Sequence, residues 1–186
     1  MARLMQRYRE EIVPVLKTEL GRTNPMSLPK LTKIVLSSGL GKAVAEGASK
    51  SGETKRFQEC EQNLTTISGQ KPIRTKSRKA VSNFKLRENY DVGLMVTLRG
   101  KRMYEFLDRL ISLAIPRVRD FRGLNPNGFD GRGNYGMGLT EYGVFPEINP
   151  DNVNFQQGLN IAICTTAEND AEARKLLTLL GVPFRS

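Results

Sequence analysis

Leu31-Thr32-Lys33-Ile34-Val35-Leu36, running on into Ser37-Ser38-Gly39-Leu40-Gly41-Lys42, is the stretch whose reading decides the fold. A short run of β-branched and apolar residues stopped by glycines predicts a strand over 31–36 ending in a turn. Val92-Gly93-Leu94-Met95-Val96-Thr97-Leu98, punctuated by Gly100, and Leu159-Asn160-Ile161-Ala162-Ile163-Cys164-Thr165 read the same way. Helical periods surround these strands. Leu4, Tyr8, Ile12 and Leu16 recur every four residues over 3–20, where Pro14 predicts a kink or a fresh helix start. Phe57, Cys60, Leu64 and Ile67 share one face of a helix over roughly 54–68, stopped at Gly69. Met103, Phe106, Leu107, Leu110, Ile111 and Ala114 mark a helix over 101–114 that Pro116 should end, and Tyr104 beside them should pack in the core. Ala173, Leu176, Leu177 and Leu180 line a last helix, with Asn169 and Glu172 as a capping pair and Gly181 and Pro183 as its stop. Residues 21–29 read as a linker, and 46–53 as a mobile Gly/Ser/Lys-rich loop.

Separated strands among amphipathic helices predict an α+β fold: a mostly antiparallel sheet with helices packed on one face and the other face open to a partner. The length, 186 residues, fits a single domain spanning 1–186. Within it, 119–143 holds seven glycines, together with Asn125, Asn127 and Asn134. That density predicts a long, flexible, protruding loop carrying short strands, shaped by partners more than by a core.

Charge and composition restrict the function. The chain has 29 Lys+Arg against 19 Asp+Glu, a net +10, and no His. Lack of His excludes Ser-His-Asp and Cys-His nucleophiles and His-bearing zinc sites. Cys60 and Cys164 are too far apart in sequence for a CxxC site, and reduced thiols are favoured over a disulfide, which a domain of this size does not need. No apolar run approaches a membrane span and no secretory h-region opens the chain, so a soluble, cytoplasmic protein with a polyanionic partner is expected. Glu141 and Glu147 are isolated, and no Asp/Glu cluster suggests a metal; no catalytic residue, metal or cofactor is expected.

Three segments concentrate the remaining chemistry. Gln70-Lys71-Pro72-Ile73-Arg74-Thr75-Lys76-Ser77-Arg78-Lys79-Ala80-Val81-Ser82-Asn83-Phe84-Lys85-Leu86-Arg87 has seven basic residues and no acidic one. It reads as a solvated basic loop or as an RNA or DNA contact, with Ser, Thr and Asn able to join in bonding phosphate oxygens, and the basic character of the whole chain favours the contact. Gly39-Leu40-Gly41-Lys42 fits neither a dinucleotide fingerprint nor a Walker loop. It is either a tight turn or a place where a nucleic-acid backbone comes close. Asp130-Gly131-Arg132-Gly133-Asn134-Tyr135-Gly136-Met137-Gly138, with Arg117, Arg119 and Arg122 ahead of it, is either a hairpin without a task or a probe for RNA or an acidic protein surface. Tyr90, Tyr104 and Tyr135 are the candidate base-stacking rings, with core packing favoured for Tyr104.

These landmarks, in this order and spacing, resemble the bacterial large-subunit ribosomal protein L5 family, the universal 5S rRNA-binding family. The resemblance rests on Lys33 to Gly41, Ile67-Ser68-Gly69-Gln70-Lys71-Pro72, Thr75-Lys76-Ser77-Arg78-Lys79, Val96-Thr97-Leu98-Arg99-Gly100, Pro116 to Leu124, Phe129 to Tyr135, Phe145-Pro146-Glu147-Ile148 and Pro183-Phe184-Arg185. It implies a non-catalytic protein that anchors 5S rRNA in the central protuberance beside large-subunit rRNA and other 5S rRNA-associated proteins. It further implies contacts to the P-site tRNA and, through a protruding loop, to protein S13 of the small-subunit head. Carried over by position, Lys33, Ser37, Gly39, Gly41, Gln70, Lys71 and Arg99 should meet 5S rRNA. Arg74, Lys76, Ser77, Arg78 and Lys79 should lie near the tRNA. Arg119, Arg122, Asp130, Arg132 and Tyr135 should belong to the bridge loop. Ser37 stands where members usually carry Asn, and 46–53 is longer than usual. A generic basic RNA- or DNA-binding architectural protein is the alternative. A nucleotide-using enzyme is disfavoured by the missing His and carboxylate cluster.

Overall fold

Proline shapes both ends of the helical framework. Residues 2–41, 55–84, 86–148 and 156–185 are described by a computed structural model; the loop expected over 46–53 lies outside them. The N-terminal stripe forms α1 (Arg3–Arg7) and α2 (Val13–Leu20), joined through a π-helical turn at Tyr8–Ile12. Pro14 has no N–H to offer the Glu10 carbonyl, and the turn ahead of it widens. The same happens downstream. The helix α4 (Gly100–Arg109) continues as a π turn at Leu110–Ala114 and a closing 3-10 turn at Ile115–Arg117. Pro116 therefore sits inside the last turn, which ends at Arg117, three residues past the helix end expected at Ala114. Helix α3 (Lys55–Ser68) buries Phe57, Cys60, Leu64 and Ile67 as its period requires, and Gly69 ends it at φ 64°. Helix α5 (Asp170–Leu179) buries Ala173, Leu176 and Leu177, but Asn169 makes no side-chain cap; only its carbonyl accepts, from Ala173 N–H at 3.1 Å.

Five strands form one antiparallel sheet, confirming the α+β class. They are β1 (Leu31–Gly39), β2 (Ile73–Lys76), β3 (Asp91–Leu98), β4 (Tyr135–Leu139) and β5 (Leu159–Thr165), in the order β2-β3-β1-β5-β4. Strand β1 runs three residues beyond its expected end, to Gly39. Strand β2 falls in the basic segment, where composition hides it. Burial alternates along the strands: Ile34, Leu36 and Ser38 are buried on β1, while Lys33, Val35 and Ser37 are half-buried. Leu159, Ile161 and Ile163 are buried on β5, with Asn160 and Ala162 exposed. This is the period-2 signature of a sheet covered on one face.

The chain groups into two compact units, each assembled from separated segments. The first comprises Met1–Val35, Thr97–Met137 and Ile161–Ser186. Here α1 lies on α4, with Arg3 Nη2 2.7 Å from Asp108 Oδ1 and the Tyr8 and Tyr104 rings 6.5 Å apart. Tyr104 is buried, as expected. The chain end is laced to residue 124: Leu124 N–H donates to the Pro183 carbonyl at 2.8 Å, and Arg185 N–H to the Leu124 carbonyl at 2.9 Å. The second unit comprises Leu36–Val96 and Gly138–Asn160. Its core holds the α3 stripe with Leu36, Leu94, Val96 and Phe145, all buried. Both cysteines are free thiols, and burial pushes the Cys60 thiol up to about 11. Among the described residues no helix is long and apolar enough to cross a membrane.

The lacing leaves no room at Gly123. Its φ is +99°, and a Cβ there would lie 2.6 Å from Arg185 N and 2.7 Å from Arg185 Cα. Gly123→Ala should therefore destabilise the protein by on the order of 2–3 kcal/mol. Gly143→Ala, where a Cβ meets nothing within 4 Å, should stay within about 0.5 kcal/mol. Thermal or denaturant unfolding of both variants checks this; equal effects would refute the steric account.

Candidate nucleic-acid interface

In the second unit the end of β1 is bolted from beneath. Ser38 Oγ donates to the Gly158 carbonyl at 2.9 Å, Leu40 N–H to the Val92 carbonyl at 2.8 Å, and Gln157 Nε2 to the Gly39 carbonyl at 2.8 Å. Alternation then turns Ser37 and Gly39 to the other side, where Ser37 is half-buried and Gly39 exposed. Neither Gly39 nor Gly41 has a positive φ, and a Cβ on either would meet nothing within 4 Å. Among the described residues, neither backbone conformation nor packing thus calls for glycine at 39 or 41. Gly93 on β3 is different: a Cβ there would lie 2.8 Å from the Ser38 carbonyl oxygen and 3.0 Å from Thr75 Oγ1.

The basic segment starts where α3 stops. Ser68 Oγ donates to the Gln70 carbonyl at 2.8 Å and receives Gln70 N–H at 3.2 Å, fixing the exit of the chain. Gln70 is half-buried and Lys71 exposed, its Nζ 4.0 Å from Glu61. Arg74 is committed within the unit. Its guanidinium lies 2.8 Å from Glu61 Oε2, 3.6 Å from Asp91 Oδ2 and 5.2 Å from the Phe57 ring centroid. It ties β2 to α3 and is not a free cation.

Past Arg74 the register slips, since Thr75 pairs with Gly93 and Lys76 with Asp91. Such a bulge bends the strand, and here it leads into a hairpin. Ser77 N–H donates to the Tyr90 carbonyl at 2.8 Å and Asn89 N–H to the Ser77 carbonyl at 3.1 Å. Ser77 is 8% exposed, and its hydroxyl donates to the Arg87 carbonyl and accepts from Tyr90 N–H. Ser77 is therefore the staple of the hairpin, its one hydroxyl hydrogen already committed to the Arg87 carbonyl. A second rung pairs Val81 with Leu86 in both directions, at 2.9 and 3.1 Å. Lys76, Arg78, Lys79 and Arg87 are exposed, and among the described residues no carboxylate pairs with them. At the tip, in the turn Ser82–Phe84, Phe84 is 71% exposed. Sequence reading does not single it out; its being the one aromatic in the basic run 70–87 is the available signal.

The first unit holds the other candidates. Lys33 is half-buried on β1, and Arg99 is exposed immediately ahead of α4. Arg119 and Arg122 are exposed on a turn where Asp120 has φ 52°. The glycine-rich segment departs from the expected shape. Asp130 closes a turn on itself, accepting from Arg132 N–H at 2.8 Å, Asn134 N–H at 3.0 Å and Asn134 Nδ2 at 2.7 Å. The bond from the Asn134 side chain and then those backbone amides hold its carboxyl below its usual value. Asp170, opening α5, accepts from Gly131 N–H at 3.1 Å and Gly133 N–H at 2.9 Å, and Thr165 Oγ1 donates to the Gly133 carbonyl at 2.7 Å. Tyr135 is 1% exposed, its ring packed on Phe129 and Phe184 and its hydroxyl donating to the Asn125 carbonyl at 2.9 Å. Tyr135 is thus a core residue and no stacking surface; the turn 130–134 is shaped by its own chain and presents Arg132, which is exposed.

Residues 24–87 match the family model described as Ribosomal protein L5, and 91–184 match the model for the C-terminus of the same ribosomal family. The chain is 53% identical to the large ribosomal subunit protein uL5 of Anaeromyxobacter sp. (strain Fw109-5) over 99% of its length and 98% of the relative's. It is 54% identical to that of Rubrobacter xylanophilus over 100% and 99% of the two chains. The chain belongs to the ribosomal protein L5 family. Membership makes it a protein of the large ribosomal subunit in the cytoplasm, and not an enzyme. Within this L5 chain, the exposed cations Lys76, Arg78, Lys79, Arg87 and Arg132 sit on segments that hydrogen bonds of the chain itself hold in place.

Asp170→Ala should untie the turn, since two backbone amides lose their acceptor. Hydrogen exchange at Gly131 and Gly133 should quicken and trypsin should gain access at Arg132, with Asp170→Asn intermediate. Unchanged protection at both glycines would show that the turn holds without Asp170.

Proposed function

We propose that this ribosomal protein binds 5S rRNA through the end of β1 and the α3 exit, and so anchors it in the central protuberance against large-subunit rRNA and neighbouring 5S rRNA-associated proteins. One observation carries this reading. Gly39 and Gly41 are glycines that nothing among the described residues requires, at a strand end held by hydrogen bonds. A side chain omitted where the fold has space for it suits a surface that a rigid partner approaches to backbone distance. Ser37, Gln70 and Lys71, in the same unit, supply polar groups suited to sugar and phosphate oxygens. Lys33 and Arg99 add cations from the first unit. The hairpin cations Lys76, Arg78 and Lys79 serve the P-site tRNA, with Ser77 as their positioning staple and Arg74 as a strut beneath. Arg119, Arg122 and Arg132 serve the bridge to small-subunit protein S13.

Charge supplies affinity in this account, and the missing side chains supply fit. With ~6 phosphates neutralised, log K for 5S rRNA should fall against log salt with a slope of roughly −4 to −5, and a slope near zero would sink the electrostatic part. Gly39→Ala and Gly41→Ala should leave the melting temperature unchanged or slightly raised, because alanine restricts the unfolded chain. Each should weaken 5S rRNA binding by about tenfold or more. Full affinity in both would remove the close-approach argument. Lys76→Ala should weaken binding of tRNA and spare 5S rRNA; equal losses would refute the division of surfaces.

A further inference from the structure

The hairpin of the second unit carries an aromatic that the charge argument does not use. Phe84 is 71% exposed, at the tip of a turn closed by the Val81–Leu86 pair and stapled at its base by Ser77. Single exposed apolar residues are ordinary on protein surfaces, but the setting of this one is specific. The hairpin that bears it presents Arg78, Lys79 and Arg87 exposed, and the sequence 76–87 contains no acidic residue. Apolar partners and cationic partners are both unsuited to such a tip. An exposed π-face and exposed cations on one hairpin fit a ligand that is flat and apolar on its faces and anionic at its edges. A nucleotide flipped out of its stack has that character: the base offers a face, and the flanking phosphates offer charge.

We propose that Phe84 stacks on an unpaired base of the bound tRNA, while Arg78, Lys79 and Arg87 grip the phosphates on either side. This rests on the tRNA reading of the hairpin and goes beyond it by naming the contact that distinguishes looped from paired RNA. Cations alone bind any backbone, duplex or not. A stacking ring binds only where a base is free. The hydrogen-bonded rungs matter here because they fix the backbone that carries the exposed ring, so presenting it costs little further backbone ordering on binding.

The test uses the full chain and two RNA probes of equal phosphate number: a hairpin with 2-aminopurine in its loop, and a fully paired duplex. Wild type should bind the hairpin more tightly and change the fluorescence of the loop base. Phe84→Ala should lose roughly 5- to 150-fold on the hairpin, lose nothing on the duplex, and keep the salt slope, because no charge is removed. Phe84→Trp should restore the hairpin affinity and the fluorescence change, whereas Phe84→Leu should not. A parallel measurement with intact tRNA separates this proposal from the reading beneath it. If Lys76→Ala weakens tRNA binding but Phe84→Ala does not, stacking is overturned and the tRNA reading stands; if neither weakens it, both fall. Equal rescue by Leu and Trp would also overturn stacking, assigning Phe84 to an apolar contact of the kind a protein partner makes.

Discussion

A β-strand has two faces, and in this chain the covering of one determines the use of the other. In the second unit the α3 stripe of Phe57, Cys60, Leu64 and Ile67 is buried together with Leu36, Leu94 and Val96. Period-2 alternation then leaves Ser37 and Gly39 no choice but the outward side. A one-residue slip in β1 would exchange the rows, burying Ser37 and turning Leu36 to solvent. The Ser38 hydroxyl opposes that slip, because its bond to the Gly158 carbonyl exists only when Ser38 points inward. The position of the candidate RNA surface is thus a consequence of core burial, and no separate device is needed to set it.

Much of this is legible in the sequence where a single physical rule dominates. The α3 stripe and its glycine stop, the three long strands and the last helix's apolar face follow from period and propensity. The parts that are not legible are governed by contacts distant in sequence. Strand β2 reads as irregular because its composition is basic, yet pairing with β3 and the ion pair of Arg74 with Glu61 make it a strand. Pro116 signals a helix end, but a π turn absorbs the missing N–H and postpones it. Residues 130–135 look unable to order themselves, being glycine-dense. Their order comes from Asp170 and Thr165 and from the Phe129–Tyr135–Phe184 cluster, none of which a local reading assembles. Ser77 and Tyr135 look like contact residues by their chemistry, and their burial places them among the supports.

The same distinction sorts the cations. Arg74 and Arg22 have their guanidinium groups committed to carboxylates of their own units, Glu61 and Asp91 for the one, Glu172 and Glu168 for the other. Such pairs contribute little when exposed, and their value here is geometric, since each joins a helix to a neighbouring segment. Lys76, Arg78, Lys79 and Arg87 have no carboxylate partner among the described residues, so their mutual repulsion is relieved only by solvent, salt or a polyanion. The cations of the described residues therefore include a paired part that ties segments within each unit and an unpaired part that is available for binding.

Rigidity then decides how that available charge is used. A disordered basic tail gains phosphate contacts but loses conformational entropy in making them, and it fits any anionic surface equally well. Here the hairpin is fixed by Ser77 and the Val81–Leu86 rungs, and the glycine turn by Asp130 and Asp170. The ordering has already been completed within the folded chain, so less of the electrostatic gain is lost on binding. Fixed cations can also be mismatched, and that is the source of selectivity: an anion whose phosphates do not match their spacing gains little. Glycines at 39 and 41, for which the described residues give no steric reason, work in the same direction, because close approach rewards only a surface whose shape follows the strand end. A basic protein built this way discriminates among RNAs by geometry while its charge sets the overall strength.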